Sequence, residues 1–240
     1  MFQNHAWYNH DKKHKGNNGM NKIFTIGHSS HKLEYFLSLL KNNDINCLVD
    51  VRSVPYSKYT PQFNVNELKL FLNSNGIYYI FLGRELGAKC EDRSLYTIDG
   101  YLDFEKARKT DLFKLGMERI QTGIKKGFHI ALMCMEKDPI DCHRNILVAR
   151  EFHKLNYIVN NILENGEIQT QDYIEKRLLD MYFPERMQQK LFDADEKLSD
   201  SELIERAYKL RNQDIGYSGI DEKERLHNEN IYRGIHQENR

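Results

Sequence analysis

Within MCMEKDPIDCHR, residues 133–144, two thiols, an imidazole, a guanidinium and three carboxylates fall inside twelve positions. A cysteine works as nucleophile or metal ligand once deprotonated, and a helix start or a nearby cation favours that. Glu136, next but one to Cys134, is a general acid/base candidate, because burial at a sheet edge raises a carboxyl pKa. Arg144 carries a planar fork suited to phosphate or carboxylate. Cys142, His143 and Arg144 stand where a helical pattern starts. Asp138-Pro139 has the form of an N-cap and first-turn pair, so free backbone N–H groups there would favour an anion. The plain alternative is a small buried Cys142 with Arg144 paired to Asp141 or Glu151. Cys134, Cys142, His143 and His28 are zinc-ligand types, but the wide gap between the cysteines and the lack of a C-x-x-C make a weak signal. No metal and no cofactor is expected.

Other reactive groups follow other apolar runs. Gly27-His28-Ser29-Ser30 follows the first run, and Asp50, Arg52, Ser53, Pro55 and Ser57 lie in or after the second. A Gly-Ser turn is everyday capping chemistry, and His28 adds a possible base or donor. Asp50 sits inside an apolar strand, where an unpaired carboxylate is costly; Arg52, on the same strand face, is the nearest partner. Gly83-Arg84-Glu85-Leu86-Gly87 follows the third run.

These groups need elements that bring them to one rim. Residues 22–26 (KIFTI), 47–51 (CLVDV), 77–81 (IYYIF) and 128–133 (FHIALM) read as strands, with a fifth at 157–162. Helical spacing appears at 31–40, 65–72 (with Asn64 as a candidate N-cap), 102–124 as one or two helices, and 144–155. The stretch 83–100 has no period. Strands alternating with helices predict a three-layer α/β fold, a mostly parallel sheet of about five strands with helices on both faces. Ligands of such sheets bind outside the carboxyl ends of the strands, where all these groups lie.

Residues 21–165 are read as this domain and 166–240 as a charged helical C-terminal extension, helical at 173–182, 185–192 and 200–211. The polar stretch 1–20 is read as a disordered leader or an appended segment, with Met20 as an alternative start. The chain of 240 residues is neutral overall. Residues 1–160 hold 23 Lys and Arg against 17 Asp and Glu, a balance of +6; residues 161–240 hold 12 against 18, a balance of −6. The basic part carries the motifs, which favours an anionic ligand, although ordinary solvated faces would look alike. No apolar run spans a membrane, and four scattered cysteines make no disulfide framework, so a cytoplasmic setting is expected. Oligomeric state is not legible.

The stretch TIGHSSHKLEYFLSLLKNNDINCLVDVRSVPYSKYTPQFNVNELKLFLNSNGIYYIFLGRELG, followed by ALMCMEKDPIDCHRNILVAR, resembles the domain of unknown function 488 family. The matching positions are Gly27, His28, Ser29, Asp50, Val51, Arg52, Pro55, Ser57, Leu86, Gly87, Cys134, Glu136, Cys142, His143 and Arg144. Ala88 departs, standing where a second glycine is common. The resemblance implies the fold and gathers these residues on one rim, but implies no activity.

Three functions compete. The first is an enzyme, a hydrolase on a phosphorylated, nucleotide-like or nucleic-acid substrate, with Glu136, Asp50 and His28 catalytic and Gly27, Ser29, Arg52, Ser57, Cys134, Cys142, His143 and Arg144 binding ligand. The second is rhodanese-like thiol chemistry at Cys134 or Cys142, although a cradle between thiol and Arg144 would need a rearranged loop. The third is a non-catalytic nucleic-acid or anion-binding module, with Tyr56, Tyr59 and Tyr78 able to stack bases and Tyr79 and Phe63 read as core.

Overall fold

Five apolar runs become five parallel strands: β1 (Lys22–Gly27), β2 (Cys47–Asp50), β3 (Tyr78–Phe81), β4 (Ile130–Cys134) and β5 (Ile158–Ile162). A sixth, β6 (Ile168–Thr170), pairs antiparallel with β5 and completes the order β3-β2-β4-β1-β5-β6. The structure, a computed structural model, describes residues 21–186 and 198–216. The leader expected at 1–20, most of the helix expected at 185–192 and the tail beyond 216 lie outside the described residues. The α/β fold with a mostly parallel sheet is as the sequence predicts. The extra strand escaped because three half-exposed residues show no usable alternation.

The strand order follows from the handedness of the crossovers. From β1 through α1 (Leu33–Asn42) to β2, and on through α2 (Val65–Ser74) to β3, the chain steps one way along the sheet. From β3 to β4 and from β4 to β5 it steps the other way. Right-handed connections therefore put the later helices on the opposite face. Alternate strand residues divide accordingly. Phe24, Ile26, Leu48, Ala131 and Met133 pack on Phe36, Leu40, Leu68 and Leu72 of the first layer. Ile23, Val49, Ile130, Leu132 and Val159 pack on Met117, Ile120, Leu147 and Phe152 of the second.

The stretch read as structureless contains a short helix, α3 (Gly83–Leu86). Residues 102–124 resolve into two helices, α4 (Phe104–Lys109) and α5 (Asp111–Lys125), because Thr110 leaves the helix to cap the second through Phe113. The helix expected at 144–155 opens as a π-helix over Arg144–Ala149 before continuing as α6 (Arg150–Lys154). Asp138-Pro139 does not start that helix, as the sequence suggested. Asp138 caps a separate 3₁₀ turn, Pro139–Asp141.

Helices α7 (Gln171–Tyr182) and α8 (Asp200–Ile215) are docked by a buried polar network. Asn145 Nδ2 donates to Asn161 Oδ1 at 2.8 Å and Gln171 Oε1 at 2.9 Å, and Gln171 Nε2 donates to the Tyr208 hydroxyl at 2.9 Å. The buried Arg150 pairs with Glu205 and lies 4.1 Å over the Tyr208 ring. Among the described residues no helix is long and apolar enough to cross a membrane.

Candidate active site

Connections leave β1 and β4, which are neighbours, toward opposite faces, so their carboxyl ends form the switch point of the sheet. Gly27 aligns with Cys134, and the ladder runs on past both strands: His28 N–H donates to the Cys134 carbonyl at 2.9 Å, and Ser29 N–H to Met135 at 2.8 Å. The loop after β4 then folds back against β1. A Cβ on Gly27 would lie 2.0 Å from the Glu136 carbonyl oxygen, so only glycine admits this approach. Arg144, fully buried, donates to the same carbonyl at 2.5 Å and to that of Lys137 at 3.2 Å. Its Nε has no partner, and among the described residues it makes no ion pair. A buried guanidinium without a carboxylate leaves a positive field beneath the loop.

One group of predicted residues forms a closed ion-pair network. Asp50 sits against Arg52, with Nε 3.0 Å from Oδ1 and Nη2 2.6 Å from Oδ2, as the sequence suggested. The Tyr79 hydroxyl donates to Asp50 Oδ2 at 2.6 Å, and Arg52 Nη2 also donates to the Phe63 carbonyl at 2.8 Å. His28 Nδ1–H donates to the Ser29 carbonyl at 2.8 Å, which leaves Nε2 bare to accept from Arg52 Nη1 at 3.2 Å. Its ring lies flat on Phe63, with centroids 4.3 Å apart. Burial first, and the Arg52 charge next, lower the His28 pKa to about 4, so the ring is neutral. Four of the five Arg52 N–H groups are thus spent inside the protein. Ser29 turns the chain over this network in the left-handed region, at φ 46°.

A second group lies on the other side of β4. Cys134 Sγ is 3.6 Å from His143 Nδ1, and His143 Nε2–H donates to the Val51 carbonyl at 2.9 Å. The Cys142 thiol contacts Glu136 Oε2 at 2.8 Å. Burial, with the bond to Cys142, pushes the Cys134 thiol well up. Burial would also raise Cys142, but bonding to Cys134 and the charges of Arg144 and His143 hold it well below the ordinary thiol range. Burial and the Cys142 charge raise Glu136. One proton therefore serves the Cys142–Glu136 contact, kept by the carboxyl when the sulfur is a thiolate. Glu136 is half-buried, whereas Cys134, Cys142 and His143 are buried.

Ser57 belongs to neither group. Its N–H donates to Asn64 Oδ1 at 2.7 Å, and its hydroxyl accepts from Tyr59 N–H at 3.1 Å, so it shapes the loop after β2. Asn64, read as a helix cap, thus makes no side-chain cap. Tyr79 and Phe63 are buried as read, but their hold on Asp50, Arg52 and His28 had no sequence signal. Nor did the bracing of the β4 loop by the extension, where Arg177 binds Asp138 at 2.7 Å and Arg211 Nε donates to the Ile140 carbonyl at 3.0 Å.

Residues 32–150 match the model of the family described as Domain of unknown function DUF488. That span holds Asp50, Arg52, Cys134, Glu136, Cys142, His143 and Arg144, while Gly27, His28 and Ser29 lie just before it. No curated protein and no solved structure matches the chain.

Proposed function

We propose that this chain, which belongs to the DUF488 family through residues 32–150, is a hydrolase for an anionic, phosphorylated or nucleotide-like substrate, with Glu136 moving the proton. The observation that carries the reading is the place of Glu136: a half-buried carboxyl at the switch point, with its other neighbours closed off behind it. Asp50, Arg52 and His28 act behind it as a positioning network that holds the β1 and β2 ends. Arg144 contributes through its unpaired charge, and Lys137, exposed on the same loop, meets the ligand from outside.

The test is turnover of phosphomonoesters, nucleotides and short oligonucleotides by the full chain. Glu136→Gln should lower kcat about 10²–10⁴-fold, the usual worth of a positioned acid or base, with unchanged circular dichroism. A variant that turns over like the parent, or a parent that binds these ligands and converts none, would overturn the reading. A thiol reading has one observation of its own, the 2.8 Å Cys142–Glu136 contact. It requires Cys142 to alkylate rapidly below the ordinary thiol pKa and Cys142→Ser to abolish the reaction.

A further inference from the structure

We propose that Cys134, Cys142 and His143 bind one zinc ion, with the fourth position of the metal open beside Glu136. The sequence spacing predicted no metal; the fold supplies what the spacing lacked, because Cys134 ends β4 and the loop returns Cys142 and His143 beside it. The two sulfurs and a ring nitrogen of His143 all lie within 4.8 Å of one another.

Three features of the geometry carry the inference. Zinc bonds of about 2.3 Å to sulfur and about 2.0–2.1 Å to nitrogen, at the tetrahedral angle, set a sulfur–nitrogen edge of roughly 3.6 Å. The Cys134 Sγ–His143 Nδ1 separation is 3.6 Å. His143 is also prepared as a ligand. Its Nε2–H is committed to the Val51 carbonyl at 2.9 Å, which fixes the ring and aims Nδ1 at Cys134, the outer-shell arrangement of metal-bound histidines once Nδ1 has given up any proton to solvent. Finally, the approach is at the half-buried Glu136, and the rest of the cluster is closed.

Loading releases to solvent the Cys134 thiol proton and the one proton shared by Cys142 and Glu136, which leaves Glu136 ionised, and each thiolate forms a bond to zinc. The 2.8 Å contact of Glu136 with Cys142 is held by a proton that zinc displaces, so the two anions lose their hydrogen bond and the carboxylate swings off the sulfur. It then borders the open position, where a zinc-bound water would have its pKa lowered toward neutrality. Two thiolates and ionised Glu136 balance zinc and the unpaired Arg144. A set with two sulfurs and one nitrogen selects zinc over magnesium or calcium. The other trio, His153, Asp172 and Glu175, has no sulfur, which separates the two in experiment.

The experiment uses the full chain, reduced and stripped with a chelator, then titrated with cobalt(II) and zinc. Cobalt should give thiolate-to-metal charge-transfer absorption saturating at one equivalent, and one equivalent of zinc should displace it. Cys134→Ser and Cys142→Ser should each weaken zinc at least tenfold and reduce the band, while Cys90→Ser should match the parent. Binding at exposed histidines or at His153 would give no thiolate band. A second reading needs no variant: zinc should protect Cys134 and Cys142, and not Cys90, from alkylation read by peptide mass. Absence of the thiolate band, its full intensity in Cys142→Ser, or unaltered alkylation of both cysteines under zinc would overturn the site. The inference does not rest on the acid/base reading. A zinc-loaded chain that hydrolyses nothing keeps the site and sinks that reading, and a chain that hydrolyses but gives no thiolate band keeps that reading and sinks the site.

Discussion

Lowering the pH from about 7.5 to about 5 should remove about 2 kcal/mol of stability through His28 alone. The ring is fully buried between Phe63 and Arg52, with Asp50 and Arg144 as the other charged groups acting on it. Its pKa is about 4 in the fold against 6.5 unperturbed. Below 6.5 the unfolded chain takes up a proton that the folded chain refuses until about 4. Stability is therefore full above 6.5, declines as the pH falls through that window, and levels off below it. The whole shift is worth about 3 kcal/mol, and about 2 kcal/mol of it is lost by pH 5.

Urea unfolding at several pH values measures this, and His28→Gln supplies the reference. With a slope near 2 kcal/mol/M, the parent midpoint should fall about 1 M further than the variant's between those pH values. His31, whose pKa is also lowered, is present in both proteins and cancels in the difference. A proton NMR titration should place the His28 ring near 4. Identical pH slopes in the two proteins, or an NMR midpoint near 6.5, would refute the buried neutral imidazole.

Other perturbations separate the two groups around β4. Tyr79→Phe removes a hydroxyl from Asp50 and should cost about 1.5–3 kcal/mol in urea unfolding. Asp50→Asn leaves the Arg52 charge buried without its partner and should cost more, about 3–5 kcal/mol; an equal or smaller loss would sink this ranking. Gly27→Ala places a Cβ 2.0 Å from the Glu136 carbonyl, so the β4 loop must move and Cys142 should alkylate faster; unaltered thiol reactivity would show the approach to be slack. Arg177→Ala with Arg211→Ala should change global stability by no more than about 1 kcal/mol per ion pair, yet speed amide exchange over residues 138–141. Exchange unchanged there would mean the extension does not brace the loop.

Much of this molecule was legible in its residues. The five parallel strands announced themselves as apolar runs, because strands buried on both faces leave no room for polar alternation. The Asp50–Arg52 pair followed from the cost of an isolated carboxylate in a strand. Placing reactive groups after each strand, at the carboxyl ends, put them at one edge of the sheet. The division of that rim into two groups was not legible. Whether Arg52 faces a ligand or Asp50 depends on Tyr79 and Phe63, which come from β3 and a distant loop. The gap between Cys134 and Cys142 looked too wide for a zinc spacing, but a strand end and a returning loop bring Cys142 and His143 back beside Cys134, with His143 3.6 Å away. Arg144 looked like an anion fork, yet its donors hold two backbone carbonyls, since a closely folded loop must satisfy its own polar groups. Residue types and local pattern determined which chemistry was available and at which edge of the sheet. Tertiary contacts alone decided which of those groups are spent on one another, because hydrogen-bond partners are set by distance through space.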